Sequence, residues 1–230
     1  MIELAAFDMA GTTIDDHGLV YVALAEAVEE TGAPVAPAEL QQWMGTDKVT
    51  AITALMKLGG QEPDDARVAA AFDRFRAILA ERYSATPPVA LPGVETALTA
   101  LRARGIKVAL TTGFDDDVAH PLLESLGWRV GSGAGTMVDA VVTTSDVTAG
   151  RPAPYMIHRA MEKTGVNDVR KVLAAGDTAV DVEAGRNAGA ISVGVLTGKM
   201  TRELLAGLPC DHVLDSVADV PALAETQPAR

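Results

Sequence analysis

Residues 2–7 form a short apolar run that stops at Asp8 and gives way to Gly11-Thr12-Thr13, the pattern of a strand entering a turn. The next stretch has a helical texture. An amphipathic segment covers 19–30, and Pro37 opens a short helix over 37–43. Another covers 48–58, and a long charged one follows over 63–83. Nothing between 17 and 88 reads as a strand. From Leu91-Pro92-Gly93 the texture changes again, to a helix over 94–104 and the run Lys107-Val108-Ala109-Leu110-Thr111-Thr112. A further helix starts after Asp115-Asp116-Asp117. Short apolar runs follow at Ala140-Val141-Val142, Val172-Leu173-Ala174-Ala175, Ile191-Ser192-Val193-Gly194-Val195 and His212-Val213-Leu214, with helical segments between most of them.

Strands alternating with helices predict a parallel sheet covered on both faces, an α/β class of Rossmann-like type. The all-helical stretch then reads as a cap inserted after the first strand. The expected domains are a core of 1–16 and 89–230 and a cap of 17–88. In such sheets ligands bind at the carboxyl ends of the strands, where Asp8, Thr112 and Asp177 fall. No internal repeat is visible. Gly131-Ser132-Gly133-Ala134-Gly135 is off-pattern for a dinucleotide loop and reads as a flexible turn.

Composition narrows the function more than the fold. The formal net charge is -12, so no basic surplus exists for nucleic acid or an anionic membrane. A small phosphorylated substrate needs only a local positive site and stays open. One cysteine, Cys210, excludes an internal disulfide, and the four scattered histidines show no zinc spacing. The first residues lack the basic flank and long apolar run of a signal peptide, and no stretch approaches a membrane span. The expected location is the cytoplasm.

Four pieces carry the chemistry: Phe7-Asp8-Met9-Ala10-Gly11-Thr12-Thr13, Leu110-Thr111-Thr112-Gly113, Gly150-Arg151-Pro152 and Gly176-Asp177-Thr178-Ala179-Val180-Asp181. In this order and at these strand ends, the chain resembles the haloacid dehalogenase superfamily over essentially its whole length. The resemblance implies that Asp8 attacks phosphorus and forms an aspartyl-phosphate, splitting one hard hydrolysis into two easier steps. It implies a Mg2+ ion held by Asp8, Asp177 and the Ala10 carbonyl, with Asp181 supporting it or binding more loosely. It gives Thr112, Gly113 and Arg151 the phosphoryl oxygens; Arg151 stands where the superfamily usually has lysine. Asp177 and Asp181 could instead cap a helix, and Asp115, Asp116 and Asp117 simply favour the start of one.

One position departs from an ordinary phosphatase. The acid expected two residues after the nucleophile, which protonates the leaving oxygen, is Ala10 here. With Met44-Gly45-Thr46-Asp47-Lys48 in the cap, the chain resembles the phosphonatases, the phosphonoacetaldehyde hydrolase branch. In that branch the cap lysine forms a Schiff base with the aldehyde of a 2-oxoethylphosphonate. The carbon–phosphorus bond then breaks with no leaving oxygen to protonate. The resemblance makes Lys48 catalytic and places Gly45 among the substrate-binding positions. The positive end of the helix starting at Lys48 favours the neutral amine, while Asp47 opposes it. Ala51 stands where those enzymes carry histidine and Gly18 where they carry cysteine; His17 reads as a hinge or surface residue. These departures point to a phosphonoacetaldehyde-like substrate. The alternative is a phosphomonoesterase of phosphoglycolate type. The expected partners are that small substrate and a second copy pairing through the cap.

Overall fold

The computed structural model describes residues 1–226. β1 (Leu4–Asp8) is buried along its whole length, as a strand covered on both faces requires. The chain then turns sharply: the amides of Thr12, Thr13 and Ile14 converge on the Met9 carbonyl at 3.3, 2.9 and 2.9 Å. Gly11 takes φ +90° there, a backbone region that side chains strain to enter. β2 (Ile14–Asp15) follows.

The chain divides into two compact units, Asp16–Pro88 and the remainder formed by Met1–Asp15 with Val89 onward. The first is wholly helical: α1 (Leu19–Glu29), α2 (Pro37–Gln42), α3 (Lys48–Leu58) and α4 (Asp65–Ala85). Asp47 and Asp64 cap α3 and α4, accepting from Thr50 N and Arg67 N at 2.8 Å each. That capping explains why the last helix starts two residues later than the charge pattern suggests. The helices close over Leu24, Val28, Ile52, Leu55, Met56, Phe75 and Leu79, all buried. Asp16 fixes the entry to α1, accepting from Val20 N at 2.9 Å and from the Tyr83 hydroxyl at 3.2 Å. Burial, and then the Asp16 charge, push the Tyr83 hydroxyl well above its ordinary range.

In the second unit, β3 (Val89–Ala90) pairs antiparallel with β2 through Ile14↔Ala90 and Asp15↔Val89. The sequence reading lacks both strands, because two residues are too few to display a period of two. Then follow α5 (Val94–Ala103), β4 (Lys107–Thr111), α6 (Asp116–Ser125), β5 (Ala140–Val142), α7 (Tyr155–Thr164) and β6 (Val172–Gly176). The unit ends with α8 (Ala179–Ala188), β7 (Ile191–Val195), α9 (Arg202–Ala206), β8 (His212–Leu214) and α10 (Val220–Thr226). Six strands form one parallel sheet in the order β5-β4-β1-β6-β7-β8, the expected α/β class.

This order positions the site. The chain builds outward from β1 to β5, then returns to the other side of β1 and builds outward to β8. The loops of β1 and β6 therefore diverge over a crevice at the carboxyl edge. Under one face, Leu4, Ala109, Val142, Val172 and Ala174 pack with Met156, Ile157 and Ala160 of α7 and with Ala184 and Ala188 of α8. Small side chains on the strands and on α8 let the helices approach closely. Arg102 braces the Gly131–Gly135 turn, donating to Gly131 O at 3.0 Å and to Thr136 Oγ1 at 2.9 Å. Among the described residues, no helix is long and apolar enough to cross a membrane.

Candidate active site

The register explains why distant parts of the sequence meet. Asp8 pairs with Thr111 of β4, so Thr112 lies one residue beyond it. On the other side Phe7 pairs with Ala175, which brings Asp177, just past β6, beside Asp8. Asp8, Asp177 and Asp181 are all buried, and one carboxylate oxygen from each lies within 4.8 Å of the others. Arg151 is only 6% exposed and reaches in from the loop after β5. Its Nη1 donates to Asp8 Oδ1 at 2.7 Å and also to Asp181, while its buried Nε has no hydrogen-bond partner.

Of the sequence-predicted residues, the core unit thus brings together Asp8, Asp177, Asp181 and Arg151. Ala10 lies in the tight turn after β1, bridged to Ile14. The Thr112 hydroxyl is buried and accepts from Phe114 N at 3.2 Å, so its own proton is available to a ligand oxygen. The Thr112 backbone amide is committed to Val142 O at 3.0 Å, and Gly113 follows it in the same loop. Asp181 is a helix residue as well: at the third position of α8 it accepts from Thr178 N at 3.1 Å and from the Thr178 hydroxyl. Asp177 is no cap; Thr178 takes that position. Lys48 and Gly45 belong to the helical unit. Lys48 is buried at the first turn of α3 and donates from Nζ to Thr46 O at 2.9 Å. Gly45 takes φ +79° in the turn before it. Ala51 is fully buried in the interior of that unit.

Sequence reasoning misses the groups that hold Asp177. Thr12 Oγ1 donates to Asp177 Oδ1 at 2.8 Å. From the loop after β7, Thr197 Oγ1 donates to Gly11 O at 2.6 Å, which anchors Gly198 against Asp177. A methyl carbon at Gly198 would come within 2.6 Å of Asp177 Cγ. A short polar loop with no recognisable spacing gives no signal of this closeness. Gly198→Ala is therefore expected to displace the carboxylate, lower the melting temperature and weaken Mg2+ binding about tenfold, the scale of a 1–3 kcal/mol overpacking strain. Thermal melts and a metal titration read both.

Three carboxylates facing one guanidinium leave an excess of negative charge in a buried place. Burial, and next the Asp8 charge, push Asp177 up to about 7, against the opposing pull of the Thr12 hydrogen bond and Arg151. Such a cluster of hard oxygens suits a divalent cation of the Mg2+ class, and the residues present fit that ion. A carboxyl raised from 3.8 toward 7 on folding means that the folded state holds the extra proton in that window. Stability from this group therefore falls as pH rises through it. The metal-free protein should lose melting temperature between pH 5 and 7.5 more steeply than an Asp177→Asn variant. Added Mg2+ should raise the melting temperature more at pH 7.5 than at pH 5.

The family model described as haloacid dehalogenase-like hydrolase matches residues 2–189. The chain belongs to that family. It is a hydrolase of the haloacid dehalogenase superfamily with phosphonatase relatives. It is 31% identical over 210 residues to a phosphonoacetaldehyde hydrolase of Bacillus cereus, covering 86% of this chain and 76% of that one. It is 32% identical over 208 residues to one of Paraburkholderia xenovorans, covering 84% and 74%. Among solved structures, a phosphonoacetaldehyde hydrolase-like protein from Oleispira antarctica superposes with a TM-score of 0.80 at 26% identity, over 97% of this chain and 91% of that one. A hydrolase from Pseudomonas syringae superposes at 0.84 and 24% identity, over 98% and 100%, which bears on the fold alone.

Proposed function

We propose that this family member is a magnesium-dependent hydrolase that cleaves the carbon–phosphorus bond of a small 2-oxoalkylphosphonate. The observation that carries the reading is Ala10. Cleaving a phosphate ester calls for a proton donor at the leaving oxygen, which phosphatases of this superfamily typically carry two residues beyond the nucleophile, and the alanine here has none. A leaving group that departs as carbon, with its electrons drawn into an iminium, needs no such donor. The buried amine of Lys48 is suited to supply the imine.

The Lys48 amine condenses with the substrate carbonyl, releasing water and leaving a protonated imine. An Asp8 oxygen attacks phosphorus, the C–P bond breaks, and its electron pair moves into the adjacent C–C bond to give an enamine on Lys48. A proton on carbon and one water return the product carbonyl and the free lysine. A second water hydrolyses the aspartyl-phosphate to phosphate. Thr112 and Arg151 hold the phosphoryl oxygens, Arg151 exchanging its ion pair with Asp8 for the incoming group. Asp8, Asp177 and the Ala10 carbonyl would hold the Mg2+ ion, which would supply positive charge against the phosphoryl oxygens. The buried Ala51 leaves the cap without the imidazole expected from the phosphonatase resemblance, which favours a related substrate over phosphonoacetaldehyde itself.

Borohydride reduction with 2-oxoethylphosphonate and its 2-oxopropyl homologue is the test. A stable adduct on the peptide containing Lys48, found by mass spectrometry, is the expected result. Absence of an adduct with either compound, together with magnesium-dependent phosphate release from simple esters, would replace this reading with the phosphomonoesterase.

A further inference from the structure

We propose that Lys199, in the loop after β7, is the entrance cation that draws the phosphoryl dianion to the carboxyl edge of the sheet. This rests on the phosphoryl-binding half of the proposed function and not on the Lys48 chemistry. The starting difficulty is electrostatic. The chain carries a formal net charge of -12, and the site itself holds three buried carboxylates. Arg151, the cation within, is already engaged by Asp8 and Asp181. With Mg2+ held among these groups the local charge would be balanced, but the chain's net charge of -12 still repels a dianion approaching this edge, and a positive charge close by offsets that repulsion.

The topology leaves one candidate in the core unit. The loops that leave the carboxyl ends of β1, β4, β5, β6, β7 and β8 contain, among the described residues, two bases only: Arg151 and Lys199. The same segments carry Asp115, Asp146, Asp177, Asp215 and Asp219. Lys199 is exposed, and its position is set by its neighbours. Thr197 is tied to Gly11, and Gly198 lies against the Asp177 carboxylate. One residue further along the chain is about 3.8 Å, so the Lys199 Cα falls within about 8 Å of that carboxylate. That is inside a Debye length of ~10 Å at 0.1 M salt, and a flexible four-carbon stem carries the ammonium. Lys199 is thus close enough to act on a bound dianion and exposed enough for salt to screen it.

A charge acting through space affects the two ligands of this site with opposite signs. Removing Lys199 should weaken an anion and strengthen a cation, whereas damage to the loop that backs Asp177 should weaken both. The experiment measures Mg2+ affinity of the protein, then inorganic phosphate affinity of the magnesium-loaded protein, by calorimetry in low and high salt. Lys199→Gln is expected to weaken phosphate about fivefold at ~20 mM salt and to tighten Mg2+ about twofold, both differences shrinking below about 1.5-fold at ~0.5 M. Lys199→Glu should exaggerate both effects. Unchanged phosphate affinity at low salt, or weakening of both ligands that salt does not remove, overturns the proposal. If the unsubstituted magnesium-loaded protein binds no phosphate, the phosphoryl-binding reading fails and Lys199 with it. Failure of the Schiff-base chemistry leaves these measurements untouched.

Discussion

Asp8→Asn is expected to abolish turnover, lowering kcat by at least about 10⁴-fold, while the protein stays folded. The amide keeps the shape of the carboxylate but is a far weaker nucleophile, and losing the nucleophile of a covalent mechanism commonly costs this much or more. The structural consequence runs the other way. Asp8 shares a buried place with Asp177 and Asp181, and its charge is one of the two causes raising Asp177. Neutralising it removes a repulsion that the metal-free protein otherwise carries. The 2.7 Å contact from Arg151 loses its ionic character, since the amide oxygen can still accept, and the Asp181 pair stays. The metal-free melting temperature of Asp8→Asn should therefore equal or exceed that of the unsubstituted chain. Its Mg2+ affinity should drop at least about tenfold, since one of the proposed anionic ligands is gone. Phosphate-release assays, thermal melts and a metal titration separate the three effects. Retention of more than about 1% of kcat would remove Asp8 from the nucleophile's role, because a surviving mechanism would then lack its covalent step.

Most of the core was legible because its strands are buried on both faces. A strand such as Leu4–Asp8 must be apolar throughout, and the abrupt appearance of Asp8 marks its end. The same logic located Lys107–Thr111, Val172–Gly176 and Ile191–Val195 within a residue or so. Asp47 and Asp115 mark the starts of α3 and α6 by accepting from Thr50 N and Val118 N, whereas Asp64, which caps α4, lies inside the longer charged run and its cap is not distinguishable there. What escaped has a common cause. β2 and β3 are defined by a single antiparallel pairing across a long insertion, which local periodicity cannot report. Thr12 and Thr197 make contacts that span much of the chain, to Asp177 and Gly11, Gly198 meets Asp177 across an intervening helix and strand, and all three types are ordinary in loops. Asp181 was ambiguous for a chemical reason. A carboxylate at the third position of a helix can cap Thr178 and pair with Arg151 at once, so capping and site roles do not exclude each other.

Lys48→Arg is expected to separate the two halves of the proposed reaction. Arginine preserves the positive charge but has no free amine, since its guanidinium stays protonated at any working pH, so no imine can form. Turnover of a 2-oxoalkylphosphonate should fall by at least about 10³-fold, or ~4.1 kcal/mol of transition-state stabilisation. Binding of inorganic phosphate to the magnesium-loaded protein should change by less than about threefold, because Thr112 and Arg151 remain. Lys48 is buried, and its Nζ donates to Thr46 O at 2.9 Å, so a larger side chain also strains α3. Overpacking of this kind costs about 1–3 kcal/mol, and a melt must accompany the kinetics. Lys48→Ala avoids that strain, and a small primary amine added to it should restore part of the phosphonate turnover without affecting phosphate binding. Rescue by ethylamine but not by a tertiary amine of similar basicity would identify an imine rather than a lost charge. Normal phosphonate turnover by Lys48→Arg would reject the Schiff base. Asp8 and the carboxylate cluster would then stand as a phosphoryl-transfer site, and the role left open at Ala10 would need another group.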